Sequence, residues 1–169
     1  MHTTKFSLLI LMIIAICIKG FSQTNIEPEP IQVDNVFNKG LKLLDNGNYR
    51  EAADKFIELL SVDSLNANWN YLTGLCYLNI PLEKEKSIKF LKQAVKNVSL
   101  DAETDYFEET IAPVEAYFYL GEAFHKNYKF EDAIDILSVL KFKYVKDDPE
   151  FEAMINKLIS ECETGIELT

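Results

Sequence analysis

Between Val33 and Glu163, apolar residues recur at the three- and four-residue spacing of amphipathic helices, in segments that come in pairs with short polar breaks between them. The first pair reads Val36-Phe37-Asn38-Lys39-Gly40-Leu41-Lys42-Leu43-Leu44, a break at Asp45-Asn46-Gly47-Asn48, then Tyr49-Arg50-Glu51-Ala52-Ala53-Asp54-Lys55-Phe56. A second pair runs from Ala67 to about Asn79 and from Lys84 to about Val98, its second helix keeping Ser87, Ile88, Leu91, Ala94 and Val95 on one face. The third reads Tyr117-Phe118-Tyr119-Leu120-Gly121-Glu122-Ala123-Phe124-His125, a break at Lys126-Asn127-Tyr128-Lys129, then Phe130-Glu131-Asp132-Ala133-Ile134-Asp135-Ile136-Leu137. A single further helix is predicted from Pro149 to about Glu163, with Asp148 as N-cap and proline in the first turn.

The pairs repeat in register. Gly40 and Gly74 are 34 residues apart, and Gly74 and Gly121 are 47 apart. The 13 surplus residues are one in the Ile80-Pro81-Leu82 turn and twelve in an insertion at 102–113. Counting from Val33 and Val114, the first and third blocks both carry glycine at position 8, an aromatic residue at 17, alanine at 20 and a large apolar residue at 24. In period and in these positions the chain resembles the tetratricopeptide repeat family. The resemblance implies an all-α fold, a right-handed α-solenoid of three helix pairs plus a C-terminal capping helix, because a stack of repeats must cover its last apolar face. It also implies close crossings at Gly40 with Ala52, Gly74 with Ser87 and Gly121 with Ala133, where glycine costs about 1 kcal/mol of helix propensity that packing has to outweigh.

The expected organisation is a signal peptide at 1–22, a linker at 23–32, repeats at 33–66 and 67–101, and an acidic insertion at 102–113. A third repeat at 114–147, the capping helix at 148–163 and a tail at 164–169 complete it. The leader reading rests on Lys5, an apolar run from Leu8 to Ile18, and Gly20 and Ser22 as small residues before a cut after Ser22. That run is shorter than the about twenty residues a membrane span needs. Cys17 lacks the small residue before it that lipidation requires, since Ile16 stands there.

A longer stretch of the sequence resembles one particular setting of these repeats. Tyr71-Leu72-Thr73-Gly74-Leu75-Cys76-Tyr77-Leu78-Asn79, Glu83 through Val98, Ala112 through Gly121 and Ile155 through Cys162 look like the N-terminal module of Bacteroidetes cell-envelope proteins. In that family the repeats precede a β-propeller and a domain similar to outer-membrane protein A that binds peptidoglycan. Neither has a counterpart in this sequence, so wall binding is not carried over.

Removing Lys5 and Lys19 with the leader leaves 15 of the 17 basic residues against 27 acidic ones and moves the net charge from −10 to −12. Such a chain does not suit nucleic acid or an anionic membrane surface. Cys76 and Cys162 fall in separate helices and read as small buried apolar residues, although two cysteines in an oxidising compartment have the option to pair. Enzyme chemistry needs convergent acid, base or nucleophile groups. Here the mature chain has one histidine, His125, with Glu122 one turn before it as a neighbour able to raise its pKa.

No catalytic residue, metal site or cofactor is therefore expected. Asp101, Glu103 and Asp105 have calcium-like spacing, but Tyr106 and Ala112 stand where a calcium loop needs glycine and glutamate. Asn97-Val98-Ser99 has the form of a eukaryotic glycosylation sequon, and Asp63-Ser64-Leu65 matches a short O-glycosylation motif of Bacteroidetes.

By the family resemblance, the concave face of the first helices is the expected binding groove. It comprises Phe37 and Leu41, then Asn68, Tyr71, Leu75 and Asn79, then Phe118, Glu122 and His125. This set is an aromatic and aliphatic stripe rimmed by acids, unlike the Lys and Asn set with which family members clamp acidic tails. It suits an apolar helix or extended segment with basic flanks, or else it packs internally. The expected function is a non-catalytic protein-protein interaction module of the cell envelope, exported to the periplasm, with a protein or peptide partner. The alternative is a structural spacer or remnant of a larger propeller-bearing envelope protein.

Overall fold

The computed structural model describes residues 31–146 and 148–168. The leader, the cleavage after Ser22 and most of the linker lie outside these residues. The described chain is an all-α solenoid of seven helices: α1 (Val33–Asp45), α2 (Tyr49–Leu60), α3 (Ala67–Leu78), α4 (Lys84–Ala94), α5 (Ala116–His125), α6 (Phe130–Tyr144) and α7 (Pro149–Glu167). Helices α1/α2, α3/α4 and α5/α6 form the three pairs, each packed on the next, and α7 closes the stack against α6. No described helix is long and apolar enough to cross a membrane.

Helix ends follow local chemistry. The Asn66 side chain accepts the Trp69 N–H at 2.9 Å and caps α3, and Asp148 accepts the Phe151 N–H at 2.9 Å and caps α7. Helix α1 ends on Gly47 in the left-handed region (φ 73°), with the Asn48 N–H donating back to Leu43. Helix α5 ends the same way on Tyr128 (φ 58°), with the Lys129 N–H donating to Phe124. In the lengthened second turn, Leu82 takes this conformation at φ 67°.

The crossings at the three glycines are tight. A Cβ on Gly40 would fall 2.9 Å from the Phe56 ring, on Gly74 2.5 Å from Leu91 Cγ, and on Gly121 2.6 Å from Leu137 Cγ. The glycine at position 8 therefore receives the large side chain of position 24, while Ala52, Ser87 and Ala133 at position 20 are buried beside it. A small residue opposite a large one makes a hole filled by a knob, at the density that protein interiors require.

Helix α7 runs four residues beyond the expected end at Glu163, to Glu167. Its last turns are held because Cys162 is buried and Gly165 lies against the Phe130 ring, where a Cβ would come within 2.5 Å.

The acidic insertion is not a free loop. Val98–Ser99 (β1) pairs in parallel with Ala112–Pro113 (β2), closing the segment at its base. The Glu109 carboxylate accepts the N–H groups of Glu103, Thr110 and Ile111 at 3.1, 2.8 and 2.8 Å. Its backbone is tied to the start of α3, where the Ala67 N–H donates to the Thr110 carbonyl at 2.9 Å. Among the described residues, no group of three His, Cys, Asp or Glu side chains, Asp101, Glu103 and Asp105 included, is arranged so as to hold a metal ion.

Candidate functional site

Helices α1, α3, α5 and α7 supply the expected concave face, and the structure divides its residues into two groups. Phe37 is fully buried (0% exposed), edge-on to Phe56 with ring centres 6.2 Å apart. It is core, not groove. Tyr71 is likewise buried (8% exposed) against Tyr119 of α5, and burial, with Tyr119 and Glu115 adding to it, pushes its phenol well above the ordinary value.

Asn68 is also lost to a partner as things stand. Its side chain is fully buried, and its Nδ2 donates to the Thr104 carbonyl of the insertion at 3.1 Å. Around it α3 is buried at every residue but Leu75. Asn79 is exposed and turns its amide onto its own helix, donating to the Leu75 carbonyl at 2.9 Å.

The second group stays accessible. Leu41, Leu75, Phe118, Glu122 and His125 are half-buried. Phe118 and Glu122 line a cleft of about 330 Å³ together with Met154, Lys157, Leu158 and Glu161 of α7. Met154 is 50% exposed at its mouth, and Phe151 closes one wall, its ring 5.9 Å from that of Phe118. Beyond Phe151 and Met154 a smaller hollow of about 270 Å³ is rimmed by Glu115, Asp148 and Glu150.

Met154, Lys157 and Glu161 were not among the expected groove residues. Their signal was present in the repeat count, which places Met154 at position 7 of a helix in register with the first helices of the three pairs.

The electrostatics also depart from expectation. Glu122 pairs with Lys126, not with His125, whose ring packs on Phe130 at 5.7 Å. Lys157 lies 3.9 Å from Glu161, and Lys141 pairs with Glu152 at 3.0 Å. Exposed pairs of this kind contribute little to stability, so they shape the charge of the rim more than they hold the fold.

Both described cysteines are free and buried. Burial pushes the Cys76 thiol up to about 12, and pushes Cys162, helped by Glu161 and Glu163, up to about 11. Such thiols stay protonated at neutral pH and are poor nucleophiles. Ser64 of the short glycosylation motif lies beside a hollow of about 490 Å³ on the second helices, lined by Ile57, Leu60 and Phe90.

Comparison with known proteins agrees with this architecture. Residues 37–102, the first two helix pairs and the start of the insertion, match the tetratricopeptide repeat family. No curated protein matches the chain. Among solved structures it is similar to the Yersinia enterocolitica type III secretion chaperone SycD in complex with a peptide of the translocator YopD. The TM-score is 0.59 at 15% identity, over 82% of this chain and 95% of that one. A second structure of that translocator chaperone matches with TM-score 0.58 at 15% identity, over 79% of this chain and 82% of that one. At such identity the likeness is one of fold.

Proposed function

We propose that this chain, with tetratricopeptide repeats in its first two helix pairs, is a non-catalytic interaction module that seats a segment of a partner protein in the cleft between α5 and α7. One observation carries the reading. Phe118 and Met154 leave apolar surface open in a concave site of about 330 Å³. Apolar surface kept open in a concave site is the usual mark of a binding groove. The rim adds selectivity, because Glu115, Asp148 and Glu150 favour a partner whose apolar anchor is followed by basic residues. That a chaperone of similar fold is known in complex with a translocator peptide supports a peptide as the occupant.

The cell envelope is the proposed setting. Its support is the export signal read at residues 1–22 and the resemblance to repeat modules of Bacteroidetes envelope proteins. The mature chain would then act in the periplasm or on the periplasmic face of the outer membrane.

Photo-crosslinking in intact cells tests both parts. A crosslinker at Phe118 is expected to trap a discrete envelope protein, and one at Phe142, exposed on α6, is expected to trap none. Equal capture at the two positions, or capture lost on disrupting neither Met154 nor Phe118 but some convex residue, would remove the cleft from consideration.

A further inference from the structure

At the hollow of about 490 Å³ beside Ser64, a short residue stands where the third repeat has a ring. Asn70 lies four residues before Gly74, and Tyr117 lies four before Gly121, its ring packed on Tyr144 with centres 5.6 Å apart. Apolar surface stays open around Asn70. Ile57 is 38% exposed, and Leu60 and Phe90 are half-buried, with Phe90 stacked on Tyr77 at 5.5 Å.

Asn70 itself is 4% exposed. Its Nδ2 donates to the Ser64 carbonyl at 3.0 Å and to the Asn66 carbonyl at 2.8 Å, which uses both amide hydrogens. Its Oδ1 has no hydrogen-bond partner among the described residues, so it is an acceptor this wall can offer to an N–H donor.

The charge at the rim is the reverse of the charge of the chain. In a sequence of net charge −10, Lys84, Lys86, Lys89, Lys92 and Lys96 follow one another along α4 and the turn after it. Among the described residues only Lys86 of these five has a carboxylate partner, Glu83. Lys89 and Lys92 are exposed and reach over the rings of Phe90 and Phe124, at 5.2 and 5.1 Å. On the α2 side the acids are engaged: Glu58 by Lys55 at 2.6 Å, Asp63 by the Leu65 N–H at 3.0 Å, and Asp54 by the field of Arg50.

We propose that this hollow is a second docking site, which takes an acidic polypeptide segment bearing one large apolar side chain. The apolar side chain covers Ile57, Leu60 and Phe90, a main-chain N–H of the segment meets Asn70 Oδ1, and its carboxylates meet Lys89 and Lys92. The phosphate of an anionic lipid brings the charge but no N–H for Asn70, so a polypeptide is the occupant. The site prefers the charge opposite to that of the acid-rimmed cleft between α5 and α7, so the two do not compete for one partner.

Two fluorescein-labelled peptides, EDLFDE and KKLFKK, serve as probes on the full chain. The acidic peptide is expected to bind wild type and to lose about tenfold or more in affinity on Lys89→Glu/Lys92→Glu. Lys39→Glu/Lys42→Glu, exposed on α1, changes the net charge equally and is expected to cost less than about twofold. On the wild-type chain the acidic peptide is expected to shift the side-chain amide resonances of Asn70 and the methyl resonances of Ile57 and Leu60, a reading that needs no variant.

Equal losses in the two charge variants, or shifts confined to Phe118 and Met154, would overturn the proposal. So would vesicles of phosphatidylglycerol binding through Lys89 and Lys92 while the acidic peptide does not bind. Phe118→Ala is expected to weaken the basic peptide and leave the acidic one unchanged, which separates failure of the cleft from failure of the hollow.

Discussion

Position 5 of the first helix behaves oppositely at the two ends of the solenoid. In α1 it is Phe37, sealed against Phe56. In α5 it is Phe118, half-exposed and facing Met154 across a cleft. The residue type and repeat position are the same, so neither hydrophobicity nor helical phase explains the difference. What differs is the neighbour. Phe37 of α1 packs edge-on to Phe56 of α2, whereas Phe118 of α5 meets Phe151 of α7 at the side of a cleft. Between the two, α3 is covered by its neighbours and the insertion at 102–113. The concave face thus passes from a filled end to an open one.

The largest test of this contrast is truncation at the two equivalent positions. Phe37→Ala is expected to destabilise by about 3–5 kcal/mol, the usual loss for a buried phenylalanine. Phe118→Ala, half-exposed, should cost about 1 kcal/mol. Urea unfolding of the two variants checks this, and equal costs would erase the distinction between the ends.

Gly121→Leu comes next. Its side chain enters the space of Leu137, with an expected loss of about 3 kcal/mol, at the upper end of overpacking effects. If α5 relieves the clash by moving toward α7, the cleft narrows as well, so binding of the proposed partner segment should fall with stability. An unchanged melting temperature would mean that α5 and α6 do not pack as described.

The smallest effect concerns the insertion at 102–113. Burial raises the Glu109 carboxyl, but the N–H groups of Ile111, Glu103 and Thr110 together outweigh it and hold the group below its ordinary 4.5. A depressed carboxylate contributes fully above its unfolded value, and its contribution is lost as pH falls through the folded one. The amide resonances of those three residues should therefore stay constant from neutral pH to about 5 and shift together below 4.5. A common midpoint above 4.5 would contradict these hydrogen bonds.

Much of the architecture was legible along the chain. The 34-residue glycine spacing, the aromatic at position 17 and the Asp148-Pro149 start of the last helix each act through contacts within a repeat or a turn. Such contacts depend on residues a few places away or one period away, and both distances can be read from sequence. The open pair Phe118 and Glu122 was legible for the same reason.

The tertiary structure alone decided the rest. It set the large side chain of position 24 against each glycine, because a hole is defined only once the facing helix is placed. It buried Phe37 and Tyr71, gave Asn68 to the backbone of the insertion, and opened Met154 at the end of the stack. Periodicity states which side of a helix is apolar. Whether that side meets a helix, a folded-back loop or a partner depends on what the chain brings across from it.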